Sequence, residues 1–264
     1  MDMKRSLRAL WRCVELFFAG LNLANGVRIH MRAIIGVFLF SWLASACVSP
    51  LASPDAAPPN DLLWVRTSAE KTAIYEQVYR LAEDRLPALA AGHGADSWAV
   101  VMDADETVLD NSEYQLRLAR AGQTYTDATW AVWVSEQKAP ELPGARRFIE
   151  KVHALGGKVI IVTNRLESEC DATRVNFLLL KIQVEGILCA PPGVTDKNPR
   201  YDSIRAGTSG LELPPLEVVA FVGDNIQDFP AKTQRNPGSF GEFGRSLFIL
   251  PNPIYGSWTT NALQ

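Results

Sequence analysis

Asp103 and Asp105 stand two residues apart, directly after the apolar run Trp98-Ala99-Val100-Val101-Met102. Such a run reads as a strand buried on both faces, so the pair lies at a strand's C-terminal end. Carboxylates there are costly to bury unless a cation or a partner neutralises them. The same edge is where open α/β sheets bind ligands. A lone Asp-x-Asp is also an ordinary acidic turn, so the rest of the chain has to decide between the two. Three later stretches bear on it. Thr163 and Asn164 follow the β-branched run Val159-Ile160-Ile161-Val162, Lys197 sits in the polar stretch Asp196–Tyr201, and Asp224 closes Phe221-Val222-Gly223, with Asp228 four residues on.

Asp103, Asp105 and Asp224 make a hard-oxygen set, which suits magnesium; calcium is the alternative, but no EF-hand-like run is present. A carboxylate beside such a cation can attack phosphorus. A second one, two residues on, can protonate the leaving oxygen and then activate water. The Thr163 hydroxyl and the Lys197 ammonium match the equatorial oxygens of a transferring phosphoryl group. Singly, each has a plain alternative: a strand-end threonine caps something, and a loop lysine faces solvent. Together, and in this order, they specify far more.

The elements that must position them follow from periodicity. A capping-box pattern at Thr67-Ser68-Ala69-Glu70 predicts a helix over about 68–89, and Gly92-His93-Gly94 breaks the chain before the first strand, 98–102. Short helices are expected over 113–122 and 127–137, in a region made aromatic by Tyr114, Tyr125, Trp130 and Trp133. Either these rings fill a helical subcore or the segment, about 112–142, lies over the carboxylates as a small cap. A helix opened by Pro143-Gly144 and stopped by Gly156-Gly157 precedes a strand at 158–162; a helix at about 168–181 precedes a strand at 186–189; a short helix to about 206 precedes a strand at 216–222; the last strand is 246–250. This alternation predicts a three-layer, Rossmann-like, mainly parallel α/β sheet, with right-handed crossovers bringing Asp103, Asp105, Thr163 and Asp224 to one edge.

The 264-residue chain, 47% hydrophobic and 21% charged with a net charge of -3, is ordinary in composition and carries no nucleic-acid footprint. Its N-terminus reads as an address. Met31-Arg32, an apolar core, and Leu43-Ala44-Ser45-Ala46-Cys47 form a lipoprotein-type signal over 31–46 with Cys47 as the lipidation site; a plain secretory signal is the alternative. Residues 1–30 read as an over-extended start, with Met31 the true one. The Pro-, Ala- and Ser-rich stretch 47–60 reads as a flexible tether to a domain at 61–264. An exported, membrane-anchored protein is therefore expected. Export permits Cys170 and Cys189 to pair, though two buried thiols fit their spacing equally well.

The stretch Val100–Tyr114, the pair Gly223-Asp224 and Asp228, and the intervening Val162-Thr163-Asn164-Arg165 and Lys197-Asn198-Pro199-Arg200-Tyr201 resemble the motifs of the haloacid dehalogenase superfamily, and more narrowly the class C acid phosphatases, which are bacterial surface lipoproteins. The likeness covers roughly 61–260 and the lipobox. It departs at Ala104, where family members often carry Leu or Ile. The resemblance implies the haloacid dehalogenase fold with a small cap. It implies Asp103 as nucleophile and magnesium ligand, Asp105 as general acid-base and ligand through its carbonyl, and Asp224 as the remaining protein ligand. Asp228 would support a metal-bound water or Lys197, while Thr163, Asn164 and Lys197 hold phosphate. A small-molecule phosphomonoester, a nucleoside 5′-monophosphate above all, is the implied substrate, with Asn111, Tyr114 and Tyr255 as its expected contacts. Two other classes compete: a surface lipoprotein that binds nucleotide or haem without turnover, and a phosphotransferase using the same aspartyl-phosphate.

Overall fold

The computed structural model describes residues 57–263. The expected signal at 31–46, Cys47 and most of the expected tether lie outside them. Five parallel strands form one sheet: β1 (Trp98–Met102), β2 (Lys158–Leu166), β3 (Gly186–Ala190), β4 (Glu217–Gly223) and β5 (Leu247–Ile249), in the order β3-β2-β1-β4-β5. The chain runs outward from β1 through β2 to β3, then returns to the other side of β1 for β4. The carboxyl ends of β1, β2 and β4 thus meet at a switch point of the topology.

Helices cover both faces. The described chain opens with α1 (Asn60–Thr67) and α2 (Ala69–Leu89); α3 (Ser112–Ala121), α4 (Asp127–Glu136) and α5 (Ala145–Ala154) lie between β1 and β2; α6 (Cys170–Leu179) precedes β3 and α7 (Asn198–Ala206) precedes β4. Strand alternation divides the core. Trp98, Val100 and Met102 of β1 join Val159 and Ile161 of β2 against α2 and α5, while Ala99 and Val101 join Ile160 and Val162 on the face of α7. All five residues of β1 are buried, as a strand sandwiched between two helical layers requires.

Several expectations shift by a turn or less. Ser68, not Thr67, caps α2: its side chain accepts from the Lys71 N–H, and Thr67 belongs to α1. Residues 60–67, partly assigned to the tether, are helical. β2 runs on through Thr163, Asn164 and Arg165 to Leu166, and α6 starts at Cys170 after a 3₁₀ turn, Glu167–Glu169. Cys170 and Cys189 form a disulfide that ties α6 to β3, which resolves the choice the spacing left open.

Candidate active site

Helix α2 builds the floor. Lys71, Tyr75 and Tyr79, spaced four apart, lie on one face of it, and each reaches the chain just beyond β1. Lys71 Nζ meets Asp110 Oδ2 at 2.8 Å, and the hydroxyls of Tyr75 and Tyr79 each donate at 2.7 Å, to the carbonyls of Glu106 and Thr107. Glu106 sits at φ 51°, a left-handed conformation that side chains rarely adopt. Its carboxylate turns inward and accepts from the Asn111 backbone N–H at 2.8 Å. The turn carrying Asp103 and Asp105 is thereby fixed from below and from within.

Asp103 emerges from β1 and Asp224 from the end of β4, while Asp228 follows in a 3₁₀ turn, Ile226–Asp228. Carboxylate oxygens of Asp103, Asp224 and Asp228 all lie within 4.8 Å of one another. Lys197, at the start of α7 and only 3% exposed, places Nζ 2.5 Å from Asp103 Oδ1 and 2.7 Å from Asp228 Oδ1. Asp228 spends its other oxygen on the Asn225 N–H at 2.8 Å. Asn252 donates to Asp224 Oδ2 at 2.8 Å. Among the described residues, Asp103 Oδ2 and Asp224 Oδ1 have no hydrogen-bond donor.

Electrostatics reflect this crowding. Burial, opposed by Lys197 and reinforced by Asp228 and Asp105, pushes Asp103 up to about 7. Burial also raises Asp224 well above the usual carboxylate range, with Asp228 and then Asp103 adding to the effect. Lys197 is raised: burial opposes its charge, and Asp103 and Asp228 override that opposition. Hard oxygen donors, desolvated and mutually repelling, fit a divalent cation. Asp103 and Asp224 have the oxygens to hold one, while Asp228, with both oxygens engaged, is placed to hold Lys197.

Asp105 stands apart from that cluster. Arg165 Nε lies 3.0 and 3.1 Å from its two oxygens, Arg165 Nη2 is 2.7 Å from Oδ1, and Asn111 Nδ2 donates to Oδ1 at 2.8 Å. Thr163 is fully buried; its hydroxyl faces Asp105 at 3.5 Å and accepts from the Arg165 N–H. Asn164 is exposed, and Arg200 Nη2 donates to its Oδ1 at 2.7 Å.

A cavity of about 690 Å³ opens over these groups, lined by Asp103, Asp105, Asn164, Lys197, Asp224 and Asp228 below and by Tyr125, Trp130 and Tyr255 at the sides. Two expected substrate contacts are corrected. Tyr114 is buried, its ring packed on Trp130 and Trp133 and its hydroxyl within 2.9 Å of Thr129 Oγ1. Asn111 is buried too, held by the Trp133 indole N–H at 2.8 Å and turned to Asp105 and Glu106. Both belong to the subcore beneath the cavity. Tyr255 does line it. Trp130 and Arg165 were not singled out by sequence reasoning. Trp130 was visible within the aromatic stretch, whereas only the extension of β2 past Thr163 reveals where Arg165 lies.

The sequence profile of the HAD superfamily, subfamily IIIB (acid phosphatase), matches residues 56–258. Among solved structures, the class C acid phosphatase from Bacillus anthracis, also determined with tungstate bound, is similar at 30% identity, covering 75% of this chain and 84% of that one with a TM-score of 0.66. Acid phosphatase 1 of Solanum lycopersicum is 31% identical over 85 residues, 32% of each chain. The stem 31 kDa glycoprotein of Glycine max is 25% identical over 157 residues, which span 59% of this chain and 58% of the relative's length.

Proposed function

The chain belongs to subfamily IIIB of the HAD superfamily, the acid phosphatases, and on that basis we propose that it hydrolyses small phosphomonoesters through an aspartyl-phosphate. The observation that carries the reading is the asymmetry of the two motif carboxylates on one cavity floor. Asp103 has one oxygen on Lys197 and the other without a donor, whereas Asp105 lies to the side in the grip of Arg165.

Asp103 Oδ2 attacks phosphorus. The bond to the ester oxygen breaks, and that oxygen takes a proton from Asp105, which enters this step as the carboxylic acid, with Oδ1 on Arg165 and the proton on Oδ2. Asp105 then removes a proton from water, which releases phosphate and restores Asp103. Lys197 and Asn164 hold the phosphoryl oxygens, with Thr163 beside them. Magnesium, held by Asp103, Asp224 and the Asp105 carbonyl, would supply Lewis-acid stabilisation of the developing charge. The aromatic walls of the cavity favour a flat leaving group such as a nucleoside, since ring stacking tolerates any base. We further read the chain as an exported lipoprotein anchored through Cys47; the mass of the mature N-terminus tests this.

Phosphate release from p-nitrophenyl phosphate and from a nucleoside 5′-monophosphate, with magnesium and then with chelator, tests the reading. Release in magnesium that chelation abolishes, and its loss in a folded Asp103→Asn variant, are expected. No release from either substrate would sink the proposal. Transfer to an added alcohol in excess of release would favour a phosphotransferase.

A further inference from the structure

Arg165 is only 2% exposed, yet no hydrogen bond of its side chain goes to a backbone group. Most of its guanidinium contacts fall on one carboxylate. Nε and Nη2 form a fork on Asp105, and Nη1 donates to Thr173 Oγ1 at 3.1 Å. Thr173, fully buried in the first turn of α6, is itself fixed by donating to the Glu169 carbonyl at 2.9 Å. On its open side the guanidinium carbon lies 5.4 Å from the centre of the Trp130 ring. The fork is thus held from two directions, by α6 behind and by α4 above.

A buried, planar, two-point grip determines where a carboxylate points as well as its charge. Asn111 also holds Oδ1, at 2.8 Å, and Thr163 approaches Oδ2 at the limit of a hydrogen bond, but Arg165 alone reaches both oxygens within 3.1 Å. The geometry points to Arg165 as a positioning residue for Asp105, one that aims the acid at the leaving oxygen and is itself braced by Thr173 and Trp130. The inference rests on the proposed role of Asp105 as general acid.

The consequence concerns leaving groups. A nitrophenolate departs without a proton, whereas an alkoxide needs one. Loss of aim at Asp105 must therefore harm alkyl phosphates selectively. We expect Arg165→Gln to lower kcat/KM, which reports the steps through departure of the leaving group and not the shared hydrolysis of the aspartyl-phosphate, on the order of 100-fold for an alkyl phosphate and less than about 10-fold for p-nitrophenyl phosphate. Arg165→Lys keeps the charge but not the fork, and should rescue only part of the loss. Thr173→Val removes the rear brace while leaving Arg165 in place. It should shift the same ratio in the same direction by less, which keeps the test open if Arg165→Gln does not fold.

Asp105→Asn is the reference. If it discriminates between the two substrates and the Arg165 and Thr173 variants do not, Arg165 does not position the acid. If Asp105→Asn itself lowers kcat/KM equally for both substrates, the general-acid role fails and the inference falls with it.

Discussion

Gly223→Ala tests the site at its tightest point. Gly223 ends β4 one residue before Asp224, and a Cβ added there would lie 2.4 Å from Asp228 Cβ, 2.5 Å from its Oδ2 and 2.8 Å from its Cγ. The first contact decides the outcome, because Cβ moves with the backbone and no side-chain rotation relieves it. To restore even a 3.4 Å contact, the turn carrying Asp228 must retreat by about 1 Å. Asp228 holds Lys197 at 2.7 Å and the Asn225 N–H at 2.8 Å, so the retreat stretches both. Overpacking costs about 1–3 kcal/mol. Weakening a buried ion pair adds to that, against the ~3–5 kcal/mol of losing one outright. A net loss of ~2–4 kcal/mol lowers Tm by roughly 5–15 °C in a domain of this size. Displacing Lys197 by a fraction of an ångström from Asp103 should also lower turnover by up to about 100-fold. Calorimetry and p-nitrophenyl phosphate hydrolysis read the two effects. Gly94→Ala is the control, since its Cβ meets only Ser97 Oγ at 3.8 Å. Wild-type Tm and turnover in Gly223→Ala would refute the packing of Asp228 on β4 and the support it gives Lys197.

Tyr79→Phe removes the donor to the buried Thr107 carbonyl, and should cost ~1–3 kcal/mol in chemical denaturation; an unchanged midpoint would show that α2 does not hold the turn. Asp110 gives an acid-side prediction. Burial tends to raise its pKa, but Lys71, by hydrogen bond and charge, and Ser112 hold it below the usual carboxylate range. A group depressed on folding stabilises above its unfolded pKa of about 3.9, and that stability is lost as pH falls through the lower folded value. Asp110→Asn should therefore be less stable than the parent at pH 6 and show a shallower loss from pH 5 to pH 2; parallel curves would contradict the pairing.

The sheet was legible because its strands are short β-branched runs flanked by turn signals, and β1 falls on the residues that periodicity marks. Helix α1 was not: Asn60–Thr67 follows a proline-rich stretch and carries buried Leu62 and Val65 on a single face too short to show a period. Asp103, Asp105 and Asp224 could be read because each closely follows a strand, and Lys197 because it stands in a polar stretch that opens a helix. Arg165 could not, because its role depends on β2 extending four residues past Val162, to Leu166, so that its side chain returns to Asp105. The aromatic stretch marked a roof but not its inner surface. Tyr114 and Trp133 face the subcore and Trp130 the cavity, a division set by how α3 and α4 pack on each other and not by either helix alone.

The charge balance of the site explains why so acidic a floor can exist in a folded sheet. Among the described residues, Lys197 and Arg165 are the cations that form salt bridges with the set Asp103, Asp105, Asp224 and Asp228. Arg165 balances Asp105 in its ionised form and leaves it outside the cluster. Lys197 is shared by Asp103 and Asp228, so the remaining double negative charge falls on Asp103, Asp224 and Asp228. Burial and mutual repulsion express that excess as raised carboxylate pKa values at Asp103 and Asp224. The same excess would repel a phosphate dianion at the distance needed for attack. A divalent cation held by Asp103 and Asp224 would cancel it and turn a repelling floor into an attracting one, with Arg165 still on Asp105. Under the proposed mechanism, the chelator comparison is therefore a test of substrate binding as much as of chemistry, and loss of the cation should raise KM as well as lower kcat.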